Sequence, residues 1–308
     1  MNKEQLLQLL PLIQSPDDGT HLSPSATGDQ LVSAGGKFHY PLQQGIPKLL
    51  PASRQEAPHK ESAFDYVDHY VKDADYYDYF KEYEDGPTRH ENRRLHEAIL
   101  AEIPNDIQSI LDVGCGSGWI AKAMQQRAVQ LVSMDISLKN VHTTLQKYPF
   151  KGHQGLVADL FALPFRDQTF DCIVCAEVIE HVVDPGLLIQ ELVRRLSPNG
   201  VLILTTPHDE KIVYHMCVHC NRPTPENAHL HSFTKKKLLD LAVQHASEVG
   251  SASSYTFSNK YLTRLRTHLL LQYLPFGLWK KVDALANTLA AKPVRLLLKV
   301  TRSDGPLS

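Results

Sequence analysis

The chain has 308 residues, of which 43% are hydrophobic and 21% charged, as is ordinary for a globular protein with one sizeable core and a small extra module. Its net charge of −2 gives no general argument for nucleic-acid binding, and without an apolar run of about 18 residues no transmembrane helix is expected. Five cysteines without a disulfide-like framework, together with a start that lacks a signal-peptide pattern, predict a reduced, cytoplasmic protein.

Residues 1–58 are predicted to form a small α+β module that ends in a linker. Leucines near the start predict a short helix, which Pro11 interrupts. Short strand patterns flank Gly35, and a stretch rich in proline and polar residues follows. We therefore place a second domain over residues 59–308.

Residues 61–102 have a helical pattern, with six tyrosines between Tyr66 and Tyr83. We interpret the first part as an amphipathic helix whose rings pack on the core. The second part is predicted to be the helix that leads into the first buried strand.

The stretch Ile110–Ile120 reads ILDVGCGSGWI and predicts a buried strand, a tight turn and a helix. Its glycines alternate at Gly114, Gly116 and Gly118. Glycine has no Cβ, so the backbone can take positive φ and a ligand can approach it closely. The N-terminus of the following helix offers free N–H groups to that ligand.

Three classes of ligand can use such a turn. A phosphate-binding loop would end in Gly-Lys-Ser/Thr, which is absent. A dinucleotide fold would have G-x-G-x-x-G, whereas Trp119 stands in the place of its last glycine. The remaining interpretation is S-adenosylmethionine, with Asp112 as the acid before the glycines. An oxidoreductase is the disfavoured alternative because the glycine spacing is wrong.

Two later strand patterns also end in an acid. Asp135 lies about 20 residues beyond the glycines, as a ribose-binding acid does after one βαβ unit. The alternative role for Asp135 is a helix N-cap. Asp159 ends the third strand pattern, and Asp171 is expected to anchor the fourth rather than to meet a ligand.

Four spaced signatures resemble those of the class I methyltransferases of type 11, which include ubiquinone- and menaquinone-pathway enzymes. They are the glycine stretch as motif I, Asp135-Ile136-Ser137 as motif II, A-D-x-x-x-L-P-F-x-D-x-x-F-D at residues 158–171, and E-V-x-E-H-V-x-D-P at residues 177–185. The resemblance implies an α/β, Rossmann-like fold with a seven-stranded, mostly parallel sheet whose last strand is antiparallel, preceded by the N-terminal module.

The resemblance also implies a site for S-adenosylmethionine. Asp135 would accept the ribose hydroxyls, and Asp159 would bond the adenine amino group. In relatives a helix before the first strand covers the cofactor cleft, so a tyrosine of residues 61–102 is expected to touch the ligand, the candidates being Tyr70, Tyr76 and Tyr77. The predicted cofactor-binding residues are Asp112, Gly114, Cys115, Gly116, Gly118, Asp135, Ile136, Asp159, Leu160 and Glu177.

Glu177, Glu180 and His181 would share one helical face if a helix began at once after the strand. One explanation is favourable electrostatics at a helix start. The other is a divalent metal site, since some related O-methyltransferases use E-x-x-E-H and a later histidine as ligands.

A second candidate metal site is MCVHCNRPTPENAHLHSF, which is not a standard zinc finger. Cys217, Cys220, His229 and His231 together offer the four N and S ligands of a structural zinc site. The alternatives for His229 are a base at the mouth of the active site or the later ligand of the Glu180 and His181 site. The predicted catalytic candidates are His181, His229 and His231.

Insertions are predicted at about 207–233 and 258–293. Between Lys260 and Arg302 there are nine basic residues and one acid. This leucine-rich, basic segment suits a substrate cap, an anionic membrane surface or an RNA-binding face. The bland alternative is a packed helical pair with solvated basic edges.

The N-terminal module resembles a ribbon-like domain that partners or precedes methyltransferase domains. The resemblance rests on Phe38-His39-Tyr40-Pro41-Leu42 and Gly45-Ile46-Pro47. Zinc-bearing members carry cysteines near Ser15 and Gly35, which this chain lacks, so no metal is expected there. A stabilising lid and a protein-docking role both remain open.

The resemblance thus predicts methyl transfer from S-adenosylmethionine to an oxygen, nitrogen or carbon acceptor. A quinone-, lipid- or natural-product-like small molecule is preferred. The alternatives are an RNA methyltransferase, or a cofactor-binding pseudo-enzyme that acts as a partner protein through residues 1–58.

Overall fold

The computed structural model describes residues 1–53, 66–81, 86–216, 223–263, 271 and 273–303. The chain divides into two compact units, each built from several segments. The first unit comprises Met1–Phe80, Asp106–Val174 and Glu191–Gly200. The second comprises Lys81–Asn105, Cys175–Gln190 and Val201–Ser308.

The first eight strands in chain order are β1 (Leu22–Pro24), β2 (Gln30–Ser33), β3 (His39–Gln43), β4 (Ile46–Leu49), β5 (Ser109–Val113), β6 (Gln130–Asp135), β7 (His153–Ala158) and β8 (Phe170–Ala176). Their order in the sheet is β1-β2-β3-β4-β7-β6-β5-β8. Helices separate β4 from β5, β5 from β6 and β6 from β7, whereas β1 to β4 follow one another along the chain. The four N-terminal strands pair antiparallel with one another, whereas β4, β7, β6 and β5 pair parallel.

The remaining strands are β9 (Leu196–Pro207), β10 (Tyr214–Met216), β11 (Pro223–Pro225), β12 (Val249–Asn259) and β13 (Pro293–Arg302). Strand β13 lies between β9 and β12 and is antiparallel to both. Strands β10 and β11 form a separate antiparallel pair.

Three helices have side-chain N-caps. Asn2 and Gln5 form a reciprocal capping box, and the hydroxyls of Ser137 and Thr234 cap two later helices. Among the described residues, no helix combines the length and apolar character needed to cross a bilayer. The α-helices are Lys3–Leu9, Tyr66–Tyr76, Gly86–Glu102, Trp119–Met124, Leu138–Lys147, Pro185–Arg195, Lys235–His245, Lys260–Thr263 and Phe276–Leu289.

The predicted α/β class and the antiparallel last strand are confirmed. The seven strands predicted for the second domain correspond to β5, β6, β7, β8, β9, β12 and β13. Ser197–Gly200 lie inside β9, where Asn199 takes the left-handed conformation with φ of 61°.

The N-terminal strands extend the parallel sheet. Strand β4 pairs with β7, with Lys48 opposite Val157. Ile46 is fully buried in a cluster that also contains Cys115 and Val141. The predicted boundary near residue 58 lies outside the described residues and stays a prediction.

Candidate active site

The glycine loop is held over the end of β6 by main-chain hydrogen bonds. The N–H groups of Gly114 and Cys115 both donate to the carbonyl of Met134, each at 2.9 Å. Gly114, Gly116 and Gly118 have φ of 69°, 44° and 68°, in the left-handed region that glycine adopts without strain. The helix Trp119–Met124 begins directly after Gly118.

Asp135 ties this loop to the next helix. Its carboxylate accepts hydrogen bonds from the N–H groups of Gly116 at 3.0 Å and Ser137 at 2.9 Å, and from the side-chain amide of Asn140 at 3.4 Å. Burial raises the pKa of Asp135 above its ordinary value, although the bonds from Ser137 and Gly116 act in the opposite direction. The carboxylate is therefore fixed in orientation beside the glycines, as an acceptor for hydroxyl donors must be.

The carboxyl group of Asp112 has a buried oxygen, Oδ2, without a hydrogen-bond partner among the described residues. The side chain is 3% exposed. Burial, with the nearby Asp135 carboxylate, raises the pKa of Asp112 to about 8. A buried polar atom without a partner is costly, so this oxygen fits a group that a bound molecule supplies.

The other predicted cofactor residues of the first unit have mixed environments. Asp159 is buried, and its Oδ1 accepts the N–H of Phe161 at 2.9 Å, which fixes the turn after β7. Leu160 and Ile136 are half-buried. The side chain of Cys115 belongs to an apolar core cluster, so only its main chain can face a ligand at the loop.

A tyrosine that the sequence did not single out lies beside Gly116. A Cβ built on Gly116 would lie 4.0 Å from Cδ1 of Tyr79, whose hydroxyl bonds to Asp73. The predicted candidates Tyr76 and Tyr77 are instead 89% and 67% exposed. Tyr79 follows the end of the helix, so no helical periodicity marks it.

In the second unit, Glu180, His181 and His229 form a compact cluster. One ligand atom from each residue lies within 4.8 Å of the others. Glu180 is 1% exposed, and its Oε2 accepts the hydroxyl of Thr206 at 3.0 Å. His181 Nε2 lies 3.9 Å from Glu180 Oε1, and the two imidazole rings meet edge-on with centroids 4.8 Å apart.

The partners of these side chains resemble the outer shell of a metal site. His181 Nδ1 lies 3.3 Å from the carbonyl of Ala228, and His229 Nδ1 hydrogen-bonds to Glu210. Such contacts fix the orientation of metal-binding imidazoles. Burial raises the pKa of Glu180 well above its ordinary value, and the Glu177 carboxylate raises it further. Two imidazoles and one buried carboxyl are a donor set that fits a divalent cation such as zinc.

Glu177 does not share a helical face with Glu180 and His181, because no helix begins at once after the strand. Strand β8 ends at Ala176, Glu177 takes the left-handed conformation with φ of 55°, and only a 3₁₀ turn, Ile179–His181, follows. The Glu177 carboxylate pairs with Arg295, which also bonds to Glu91 at 3.0 Å. Burial alone would lower the pKa of Arg295. The Glu177 and Glu91 carboxylates outweigh burial, so the pKa of Arg295 is raised above its ordinary value.

The four-residue cysteine and histidine site stays a prediction, because Cys217 and Cys220 lie outside the described residues. His229 belongs to the cluster with Glu180 and His181. His231 packs its ring near Phe233, with centroids 6.0 Å apart, and its buried Nε2 has no hydrogen-bond partner among the described residues.

Residues 111–204 match the family model described as Methyltransferase domain, type 11. The chain contains a class I methyltransferase domain. The match begins within β5 and runs through the glycine loop, the strand-end acids and the Glu180 segment into β9. The match confirms the family recognised from the sequence, and the mixed sheet confirms the predicted fold. S-adenosylmethionine is the cofactor of this class.

Named relatives of the methyltransferase domain agree with this assignment. The ubiquinone biosynthesis O-methyltransferase of Rickettsia conorii is 31% identical over 138 residues, which cover 42% of this chain and 46% of that protein. The protein of the same name from Rickettsia typhi is 28% identical over 205 residues, which cover 61% of this chain and 80% of that protein. The chain thus spans about half the length of the first of these relatives.

A solved structure supports the fold alone. One chain of a complex that contains the Haloferax volcanii Trm112 methyltransferase activator is similar with a TM-score of 0.50 and 17% identity. The similarity covers 79% of this chain and 100% of that chain.

Two features of the methyltransferase domain fit the cofactor. They are the glycine loop, with the unpartnered Oδ2 of Asp112, and the oriented carboxylate of Asp135.

Proposed function

We propose that this chain transfers a methyl group from S-adenosylmethionine to an oxygen atom of a small hydroxylated molecule. The observation that carries the proposal is the glycine loop flanked by two buried acids, Asp112 and Asp135, inside a matched methyltransferase domain. A second observation, the Glu180, His181 and His229 cluster, favours oxygen over nitrogen or carbon as the acceptor atom.

The first set of residues holds the cofactor. The positive-φ glycines let it approach the main chain, and Asp135 is placed to accept the two ribose hydroxyls. The unpartnered oxygen of Asp112 is placed to accept a donor from the cofactor. When bound, the cofactor supplies a methyl group on a sulfonium that is already activated, so these residues contribute by orienting it and by excluding water.

The second set of residues prepares the acceptor. Glu180, His181 and His229 would hold a divalent cation, for which zinc is our first candidate. When bound, such a cation lowers the pKa of a hydroxyl group that it contacts. His231 carries a buried ring nitrogen without a described partner and is our candidate to hold the proton that the acceptor loses.

The names of the two relatives support a quinone-like acceptor. An aromatic molecule with adjacent hydroxyl groups would suit a cation site, because both oxygens can approach the metal. The alternatives are RNA as the acceptor and a pseudo-enzyme that binds the cofactor without turnover, and the test below is designed to separate them.

The test has two stages on the purified full chain. Calorimetry first measures binding of S-adenosylmethionine and, as a control, of a nicotinamide dinucleotide. Radiolabelled methyl transfer is then measured to a catechol, a primary amine and total RNA, with and without a chelator. We expect cofactor binding and chelator-sensitive methylation of the catechol alone.

Each other result overturns a defined part of the proposal. Nicotinamide binding in place of S-adenosylmethionine would overturn the cofactor assignment. Methylation of RNA or of the amine would overturn the acceptor class, and chelator-insensitive transfer would overturn the role of the cation. Cofactor binding without turnover on any acceptor would favour the pseudo-enzyme.

A further inference from the structure

The helix Phe276–Leu289 has one face that is firmly anchored in the second unit. Its Trp279 and Phe276 are buried, and both rings lie beside His90, with centroids 5.5 and 5.7 Å away. Arg93 stacks over the ring of Phe276 at 4.1 Å. The buried carboxylate of Asp283 accepts the N–H of Asn259 at 2.6 Å. These contacts fix which face of the helix is turned outward.

The outward face carries three leucines in a line. Leu278, Leu285 and Leu289 are 49%, 58% and 77% exposed. At about 100° per residue they fall within about 40° of one another around the helix axis. Single exposed leucines are normal on a protein surface, but three on one face of an anchored helix mark an interaction face. Tyr273, 82% exposed, lies just before the helix.

Two exposed lysines give this face its positive charge. Lys281, beside Leu278 and Leu285 on the same side of the helix, and Lys292, just beyond its end, are both exposed. The segment Lys260 to Arg302 contains nine basic residues and one acid, but Lys280, Arg295 and Lys299 pair with Glu97, Glu91 and Glu102 of a neighbouring helix. That acid, Asp283, is 1% exposed and adds no negative charge to the surface.

We propose that the helix Phe276–Leu289 lies on the surface of an anionic lipid bilayer, with its leucine line inserted among the acyl chains and its lysines at the headgroups. Exposed leucines with lysines beside them are the pattern of an interfacial amphipathic helix, and the basic charge complements anionic lipid. RNA is less suited to this face, because phosphates would meet the lysines but leave the leucines in water. The helix lies on the bilayer and does not cross it.

The test measures binding of the full-length protein to vesicles by flotation. We expect binding to vesicles rich in phosphatidylglycerol, weaker binding to pure phosphatidylcholine, and weakening by salt. Replacing the three leucines together, Leu278→Ser, Leu285→Ser and Leu289→Ser, should lower the partition constant by about tenfold or more. Lys281→Glu should lower it by about fivefold or more.

Matched variants separate this face from general surface effects. Leu7→Ser and Val243→Ser remove apolar side chains that are 54% and 55% exposed elsewhere, and Lys235→Glu reverses an exposed charge on another helix. All three should bind vesicles as the parent does. Thermal unfolding should be unchanged in every variant, because each altered side chain is exposed.

Two results of the flotation test would overturn the proposal. The parent protein would fail to bind anionic vesicles, or the triple leucine variant would bind them as well as the parent does. RNA binding that depends on Lys281 but not on the leucines would assign the face to nucleic acid. Concentration-dependent dimerisation that is lost in the triple variant would assign it to a second copy of the chain.

Discussion

The glycine loop and the Glu180 cluster both centre on buried carboxyl groups, but the chain assembles them in different ways. The loop site is local: Asp112, Gly116 and Asp135 come from two neighbouring parallel strands and the turn between them. The cluster is non-local, because Glu180 meets Thr206 from β9 and His229 from a later loop. The comparison indicates that main-chain geometry fixes the first site, whereas side chains from distant segments fix the second.

The largest effect is expected at Gly118. A Cβ there would lie 2.6 Å from Oγ1 of Thr144, at φ of +68°. We expect Gly118→Ala to lower the free energy of unfolding by about 3 kcal/mol, from a strained backbone and a clash together. Cofactor affinity should fall by about 100-fold, since the loop cannot close in its present form. Denaturant unfolding and calorimetry measure the two quantities.

Gly28→Ala is the matched control for Gly118→Ala. Gly28 has φ of +71°, but a Cβ there would meet nothing within 4 Å. Gly28→Ala should lower the free energy of unfolding by only about 1 kcal/mol and leave cofactor affinity unchanged. Equal effects of the two substitutions would contradict the close packing of the loop against Thr144.

The next effect concerns the non-local cluster. Glu180→Gln should lower the affinity for a divalent cation by about 100-fold, and Thr206→Val by about tenfold through the lost hydrogen bond to the carboxylate. Metal content by mass spectrometry on untagged protein measures both. Glu226→Gln, at an exposed glutamate in the same unit, should keep the metal.

Cys217→Ala distinguishes the cluster from the predicted zinc site of Cys217, Cys220, His229 and His231. If metal were lost in Cys217→Ala and kept in Glu180→Gln, the cation would belong to the cysteines, and the Glu180 cluster would have a different role.

A smaller effect should appear in the pH dependence of stability. The pKa of Asp112 is raised to about 8, above about 4 for an unfolded aspartate. The native state therefore holds more protons between these values, and the free energy of unfolding should fall as pH rises through this window. Asp112→Asn should remove this slope and stabilise the cofactor-free protein at pH 8 by on the order of 2 kcal/mol.

Asp171 provides a comparison of opposite sign. Burial tends to raise its pKa, but hydrogen bonds from Gln108 and Ser197 outweigh burial and lower it. The ionised Asp171 therefore stabilises the folded state above the ordinary carboxyl pKa, and this stabilisation is lost as pH falls. Asp171→Asn should destabilise at neutral pH, whereas Asp112→Asn should not. Parallel pH profiles of the two variants would contradict the assigned burial of Asp112.

The smallest effect is expected at Tyr79. Tyr79→Ala removes the ring beside Gly116 and should weaken cofactor binding by about fivefold. Tyr79→Phe keeps the ring and should stay within about twofold of the parent. Tyr77→Ala is the control, since Tyr77 is 67% exposed. Unchanged binding in Tyr79→Ala would remove Tyr79 from the cofactor site.

Sequence patterns anticipated the parts of the molecule that depend on neighbours along the chain. Positive φ at three alternating glycines, acids at successive strand ends and the anchoring role of Asp171 all follow from local backbone requirements. The structure places the Asp171 carboxylate 2.8 Å from the N–H of Gln108 and 2.9 Å from the hydroxyl of Ser197, as that prediction requires.

Patterns failed where a distant side chain decides the conformation. The E-x-x-E-H spacing gives one helical face only if a helix begins at once, but Glu177 takes positive φ. It pairs with Arg295, more than a hundred residues later. Tyr79 was missed because it lies after the end of its helix and meets the loop only through tertiary packing. No local period records either contact.

The sequence by itself determined the alternation of strands and helices, the glycine loop and the identity of the strand-end acids, because these depend on φ preferences and hydrophobic periodicity within short segments. Only the tertiary structure decided that β4 joins the parallel sheet through β7. It also decided that His229 lies with Glu180 and His181. The physical reason is that strand pairing and side-chain clusters of this kind gain their stability from contacts between remote segments, which no single segment encodes.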